Sequence, residues 1–196
     1  ITDLKPDLSP DELITLIGDY DALIIRSRTQ VTKSVIQAAK NLKVIGRAGV
    51  GVDNVDVSSA TQKGILVFNT PAGNTVAAAE HTIALMLSLS RHILPAGVSL
   101  RNQEWSRGKF MGNELYGKTF GVIGVGRIGS EVIRRLQAFD MKVLAYDPYI
   151  SVQAADRLGI KLVDRNSLIQ TADYVSIHVP LTPETHHSIS TDEFAL

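Results

Sequence analysis

Gly124, Gly126 and Gly129, followed at the end of the next apolar run by Asp147, are the residues of this chain whose types and spacing most directly imply chemistry. In Gly121-Val-Ile-Gly124-Val-Gly126-Arg-Ile-Gly129 each glycine has its own task. Gly124 permits a tight turn from strand to helix, and Gly126 lets the backbone approach a pyrophosphate with no side chain between. Gly129 lets the helix lie close against the strand, and the helix start offers unpaired N–H groups to phosphate oxygens. Asp147 lies 18 residues past Gly129, near the separation of a carboxylate that accepts hydrogen bonds from a ribose diol. Its charge repels a 2′-phosphate, so the dinucleotide expected here is NAD and not NADP.

Such glycines alone indicate only turns, so the elements around them decide the reading. Lys118 to Ile123 reads as a short apolar strand entering the loop. Arg127 to Asp140 reads as a helix, with Ile128, Val132, Ile133, Leu136 and Phe139 on one stripe. Met141 to Tyr146 reads as the next strand, and Asp147 closes it.

The same alternation runs through the chain. Ser9-Pro-Asp-Glu12 opens a helix with Ser9 as N-cap, Pro10 at the first helical position and Glu12 completing a capping box. Ala22 to Ile25 and Lys43 to Ile45 read as strands flanking a helix over Thr32 to Lys40. A helix around Val55 to Lys63, capped by Asp53 or Asn54, precedes the strand Ile65 to Phe68. Asn74 to His92 reads as one long helix that ends before Pro95. A polar, irregular stretch from Arg101 to Gly117 holds the only Trp. After the glycine motif come a further βα pair over Ser151 to Gln170 and a strand over Asp173 to Val179.

This pattern predicts an α/β protein with two Rossmann-like parallel-sheet lobes. The first spans 1–72 and is expected to lack its first strand. The second spans 73–196, includes the connecting helix 74–92, and is expected to lack its C-terminal strands, as a fragment of a longer protein would.

Composition agrees with an enzyme-like core. The 196 residues are 44% hydrophobic and 20% charged, with 20 basic and 20 acidic side chains and no net charge. Nothing in that balance favours nucleic acid or a membrane surface as a partner. The absence of cysteine excludes disulfides and fits a reducing cytoplasm. The first residues have neither the basic nor the apolar region of a signal peptide. The stretch Val76 to Leu89 is too short and too polar, with Glu80, His81 and Thr82 inside it, to span a bilayer.

Four motifs in order give a resemblance covering essentially the whole chain: Arg47-Ala-Gly-Val-Gly-Val-Asp-Asn-Val-Asp56, Val67-Phe-Asn-Thr-Pro-Ala-Gly-Asn74, Gly124-Val-Gly-Arg-Ile-Gly129 and His178-Val-Pro-Leu-Thr-Pro183. Together they resemble the D-isomer-specific 2-hydroxyacid dehydrogenases. Ile25-Arg26-Ser27-Arg28-Thr29 and Trp105-Ser-Arg-Gly-Lys-Phe-Met-Gly112 point, within that family, to a member acting on a small phosphorylated 2-hydroxy acid.

The resemblance assigns roles by position. Arg26 and Ser27 fall on the loop that binds substrate carboxylate or phosphate, and Asn74 on another substrate contact. The Gly49-Val50-Gly51 run is expected to bring N–H groups to substrate or nicotinamide, with Gly51 on the substrate side and Val50 near the cofactor. Arg127 and Ile128 fall where N–H groups meet the pyrophosphate, Asp147 on the ribose acid, and Val179 and Pro180 on the adenine wall. From chemistry alone an Arg after a parallel strand suits an oxyanion, but a solvated surface role stays open for Arg26 and Arg28. Arg47 fits either an oxyanion contact or a brace for the glycine loop, and Val179 fits plain core. The family's catalytic Arg, Glu and His lie downstream of the His178 motif. All three are therefore expected beyond Leu196, and the chain as given is expected not to turn over.

Alternatives stay open: a family member acting on glyoxylate, hydroxypyruvate or D-lactate, or a non-catalytic NAD-sensing scaffold. A homodimer through the cofactor lobe is expected, with Trp105, Phe110 and Met111 on an arm that seeks a partner surface. His178, His186 and His187 have no Cys or converging carboxylate, so no metal site is expected. His81 reads as an ordinary helix residue.

Overall fold

Short runs rich in Ile, Val and Leu, each followed by a helix, assemble here into two separate parallel sheets. The computed structural model describes residues 2–6 and 8–196, and the chain divides after Asn74 into two compact units.

In the first unit, α1 (Pro10–Leu16) begins at the expected capping box. The Glu12 carboxylate accepts from the Ser9 N–H at 2.9 Å, and Ser9 Oγ accepts from the Glu12 N–H at 3.3 Å. There follow β1 (Ala22–Ile25), α2 (Lys33–Ala38) capped by Thr32, β2 (Val44–Arg47), α3 (Val57–Gln62) and β3 (Leu66–Asn69). The strands lie in the order β1-β2-β3, with Ile25, Arg47 and Asn69 in register at their C-terminal ends. Arg26 and the Gly49–Gly51 loop thus leave the same edge of the sheet. Leu13, Ile17, Val35, Ile36 and Ala60 of the helical layer bury against Ile25, Ile45 and Ile65. On the other face Ile24, Leu66 and Phe68 are exposed.

The second unit opens with α4 (Thr75–Ser90) and α5 (Ile93–Arg101). The long helix expected over Asn74 to His92 is α4, ending two residues early, but a second helix, not expected from the sequence, follows it. His92 takes a left-handed conformation (φ 51°) and the two helices bend by 65°. Pro95 is the third residue of α5 and does not end a helix there. In a first turn the missing N–H has no acceptor to lose.

After a 3₁₀ turn at Arg107–Phe110 come β4 (Thr119–Ile123), α6 (Arg127–Gln137), β5 (Lys142–Tyr146), α7 (Val152–Leu158), β6 (Lys161–Leu162), α8 (Arg165–Thr171), β7 (Tyr174–Ile177) and α9 (Thr191–Phe194). The sheet order is β6-β5-β4-β7, all parallel. From β4 the chain winds outward through β5 to β6, then crosses back to pair β7 on the other side of β4. The order therefore reverses at β4, and such sheets open a crevice beyond the strand ends at that point.

Helices cover both faces. Ala79, Ile83 and Met86 of α4 and Val132, Ile133 and Leu136 of α6 pack with Phe120, Val122, Val143 and Ala145. On the opposite face Leu168 of α8 lies so close to Gly121 that a Cβ there would collide with it. Cutting Leu136 to Ala would remove about 2–5 kcal/mol by the usual cost of a buried cavity.

Candidate functional site

The glycine loop leaves β4 at the reversal point, and the structure gives each glycine a measurable constraint. Gly124 has φ +92°, and a Cβ on it would sit 2.7 Å from the carbonyl oxygen of His178 and from Val179 Cγ1. A Cβ on Gly129 would collide with the Gly124 carbonyl, so α6 approaches β4 as closely as two backbones allow. Gly126 differs: its backbone is extended and nothing lies within 4 Å of where a Cβ would be. Packing does not require that glycine, and the open space in front of it suits a ligand.

Gly126 is the N-cap of α6 and brings no side-chain cap. The first backbone bond of the helix runs from the Ser130 N–H to the Gly126 carbonyl at 2.9 Å. Arg127 and Ile128 precede it, so their N–H groups have no acceptor within the helix. Arg127 is exposed, whereas Ile128 packs on the core and fixes the helix start in place. A bare helix N-terminus of this kind attracts phosphate oxygens through its N–H groups and its dipole.

Asp147 follows β5 and is half-buried. One carboxylate oxygen accepts from the Val125 N–H at 2.7 Å and the other from the Tyr149 N–H at 2.8 Å. Each oxygen keeps lone-pair capacity for a hydroxyl donor. The acid is thereby tied to the glycine loop itself. Val179 leans on Gly124, and Val179 and Pro180 line an open cavity of 440 Å³ with Leu181, Thr185 and His187. His178 lies 3.0 Å from Ser176 Oγ through its Nε2, and burial pushes its pKa below the ordinary value.

A second cluster stands in the first unit, at the C-terminal edge of its sheet. Arg26, Ser27 and Arg28 follow β1 with exposed side chains. Arg47 ends β2 and is only 8% exposed. Its guanidinium folds back over the glycine loop, close enough to exclude any side chain at Gly49, and donates to Ser27 Oγ at 3.2 Å. Arg47 Nε is buried without a partner, and no ion pair among the described residues involves Arg47. A buried guanidinium without a carboxylate is costly, on the order of several kcal/mol, and is relieved by an incoming anion. Val50 and Gly51 are half-buried, and the Val50 carbonyl accepts from the Asn69 side-chain amide. Asn74 is exposed, and among the described residues no hydrogen bond joins it to the Arg26 loop.

The expectation that Asp53 or Asn54 caps α3 is corrected. The N-cap of α3 is Asp56, whose carboxylate accepts from the Ser59 N–H at 2.9 Å. That bond and the Ser59 hydroxyl hold its pKa below the usual carboxylate value. Asn54 caps nothing. It is 3% exposed, and its amide donates to the carbonyls of Arg26 (2.9 Å) and Thr29 (2.7 Å). Its partners lie 25 and 28 residues earlier, so no local pattern announces the contact. The Asn69 side chain likewise bonds a carbonyl 19 residues earlier, that of Val50. His186 and His187 stack on each other with ring centroids 4.0 Å apart, and no group of three His, Cys, Asp or Glu among the described residues is placed to hold a metal.

Residues 83–196 match the family described as "D-isomer specific 2-hydroxyacid dehydrogenase, NAD binding domain". The D-3-phosphoglycerate dehydrogenase of Archaeoglobus fulgidus is 52% identical over 192 residues, 98% of this chain and 36% of that protein. That of Homo sapiens is 47% identical over 191 residues, 97% of this chain and again 36% of the relative. The chain therefore spans little more than a third of the length of these relatives. Among solved structures, the D-lactate dehydrogenase from Aquifex aeolicus complexed with NAD and lactic acid aligns with a TM-score of 0.86 at 31% identity, over 93% of this chain and 55% of that one. This chain belongs to the D-isomer specific 2-hydroxyacid dehydrogenases, and its residues 83–196 match their NAD-binding domain.

Proposed function

We propose that this chain supplies the cofactor and substrate contacts of an NAD-dependent D-3-phosphoglycerate dehydrogenase, which oxidises D-3-phosphoglycerate to 3-phosphohydroxypyruvate at the start of serine biosynthesis. The observation that carries the substrate reading is the buried Arg47 guanidinium, unpaired with any carboxylate among the described residues and bonded to Ser27 beside the exposed Arg26. An anionic ligand would satisfy that charge. Identities of 50–52% to several proteins named D-3-phosphoglycerate dehydrogenase support the same choice.

In this reading residues 1–72 are the substrate lobe and 73–196 the NAD lobe. Arg26, Ser27, Gly51 and Asn74 bind the substrate, joined by Arg47, while Val50 lies near the cofactor. The N–H groups of Arg127 and Ile128 hold the pyrophosphate where Gly124, Gly126 and Gly129 leave room for it. Asp147 accepts from the ribose hydroxyls, and Val179 and Pro180 wall the adenine. NAD held by these residues would supply the hydride acceptor for the substrate's hydroxyl-bearing carbon, and a general base would have to take the hydroxyl proton as the carbonyl forms. None of these contacts removes that proton, so the 196-residue chain by itself is proposed to bind both ligands without turnover.

The same reading makes the protein a cytoplasmic homodimer joined through the NAD lobe. The exposed apolar side chains of Leu89, Leu94, Trp105 and Met111 support the dimer. No single described helix is long and apolar enough to cross a membrane.

Calorimetric titration with 3-phosphoglycerate, glyoxylate, hydroxypyruvate and D-lactate tests the substrate. The phosphorylated acid is expected to bind at least about tenfold more tightly than the others, a difference of about 1.4 kcal/mol. Equal or reversed preference would move the assignment to another member of the family.

A further inference from the structure

The Arg26–Thr29 loop joins β1 to the rest of its unit, and its own side chains point to solvent or lie half-exposed. Nothing in its composition makes it rigid. Its two ends are held instead by one buried side chain. The Asn54 amide donates to the Arg26 carbonyl at 2.9 Å and to the Thr29 carbonyl at 2.7 Å. Both amide hydrogens are thereby used, one at each end of the loop.

Asn54 is itself fixed by backbone bonds. The Val31 N–H donates to the Asn54 carbonyl at 2.8 Å and the Asp56 N–H to the Val31 carbonyl at 2.9 Å, around the parallel bridge between Val31 and Val55. The Asn54 side-chain oxygen is buried and has no partner. A buried polar oxygen left unsatisfied is costly, and a leucine or valine would fill this volume without that cost. What the amide contributes is the pair of donors.

We infer that Asn54 is a positioning residue for substrate recognition: its bidentate amide sets the conformation of the Arg26–Ser27 backbone and so aims both side chains at the substrate oxyanion. The inference rests on the reading that Arg26 and Ser27 meet the substrate. Asn54 touches no ligand in it. Ser27 also receives the Arg47 guanidinium at 3.2 Å, so a displaced loop would disturb Arg26, Ser27 and Arg47 together. Arrangement of this kind outweighs the count of charges, because an Arg fork misaimed by an ångström loses its bidentate geometry.

Two variants test it in the 196-residue chain. Asn54→Ala removes the clamp, and Asn54→Asp keeps the shape while turning both donors into acceptors. Calorimetry with 3-phosphoglycerate is expected to show a loss of about tenfold or more in each variant. NADH affinity is expected to stay within about twofold, since every residue assigned to the cofactor except Val50 lies in the other compact unit, and among the described residues no hydrogen bond joins Asn54 to Val50. Amide exchange is expected to quicken at residues 26–30 and not along β1, β2 and β3. A protonated Asp regains one O–H donor. Relative to wild type at the same pH, Asn54→Asp should therefore recover affinity as pH falls, and Asn54→Ala should not.

A merely structural Asn54 would speed exchange throughout its sheet and give no acid recovery, which would overturn the inference. So would wild-type affinity in both variants. A wild-type chain that ignores 3-phosphoglycerate sinks the substrate reading itself, and the inference with it.

Discussion

Gly124 and Gly126 stand two residues apart in one loop, and a methyl group on each should have opposite consequences. At Gly124 the backbone is left-handed (φ +92°) and a Cβ would lie 2.7 Å from the His178 carbonyl. Gly124→Ala should lower unfolding stability by about 2–4 kcal/mol, from conformational strain plus the clash. At Gly126 the conformation is ordinary and the space is empty. Gly126→Ala should change stability by no more than about 0.5 kcal/mol. Its NADH affinity should nevertheless fall by about tenfold, because the methyl group fills the approach of the pyrophosphate. Denaturant unfolding and NADH fluorescence on the same samples separate the two. Equal losses of stability would show that Gly126 is kept for packing. At Asp147, replacement by Asn removes the charge that repels a 2′-phosphate and leaves one oxygen to accept from Val125 or Tyr149. The ratio of NADPH to NADH affinity should rise by about tenfold, with a stability cost of about 1 kcal/mol for the lost acceptor. An unchanged ratio would take the specificity role away from Asp147.

Past Pro180, whole elements rather than single residues hold the chain in place. Arg165, at the start of α8, donates to the Ser188 carbonyl at 2.8 Å and contacts the Glu193 carboxylate. Glu193 in turn accepts from the Ser190 N–H at 2.8 Å, closing a capping box on α9. The Ser190 N–H and hydroxyl, with help from Arg165, hold the Glu193 pKa below its ordinary 4.5. A depressed carboxylate pKa means the interaction is fully present above 4.5 and is lost as acid protonates the folded form. Amide protection of residues 190–194 should therefore weaken as pH falls below that value, while Glu193→Gln should show weaker protection with little pH dependence. Protection that ignores pH in both proteins would remove Glu193 from the role.

The same scale explains which parts of the fold were legible in the sequence. The strand, glycine loop, helix, strand and acid from β4 to Asp147 were legible because all their determinants are local: alternation, helical spacing and glycine positions. The Ser9 capping box was legible for that reason too. The break between α4 and α5 was not, since it depends on His92 adopting a left-handed turn, which no side-chain periodicity encodes. Asn54 and the buried, unpaired state of Arg47 were invisible because their partners are backbone groups and a serine brought together only by sheet register.

At the scale of the whole molecule the distribution of apolar surface is the informative quantity. Monomeric proteins scatter exposed apolar side chains, and contiguous groups of them mark interfaces. Here α4 and α5 expose Leu85, Leu89, Ile93, Leu94, Val98 and Leu100, and the segment after them exposes Trp105 at 76% and Met111 at 80%. In the proposed homodimer a second copy offers the same face, and a two-fold arrangement covers both at once. Trp105 is the only tryptophan, so its emission reports on this surface alone. Sedimentation velocity should give twice the mass of the 21.3 kDa chain, and Trp105 emission should shift to the red on dilution as the ring becomes wet. Leu94→Asp combined with Met111→Asp should yield a monomer whose NADH affinity stays within about twofold of wild type, since neither residue belongs to the glycine cradle. A wild-type chain that sediments as a monomer with red-shifted emission at every concentration would assign this surface to a different occupant.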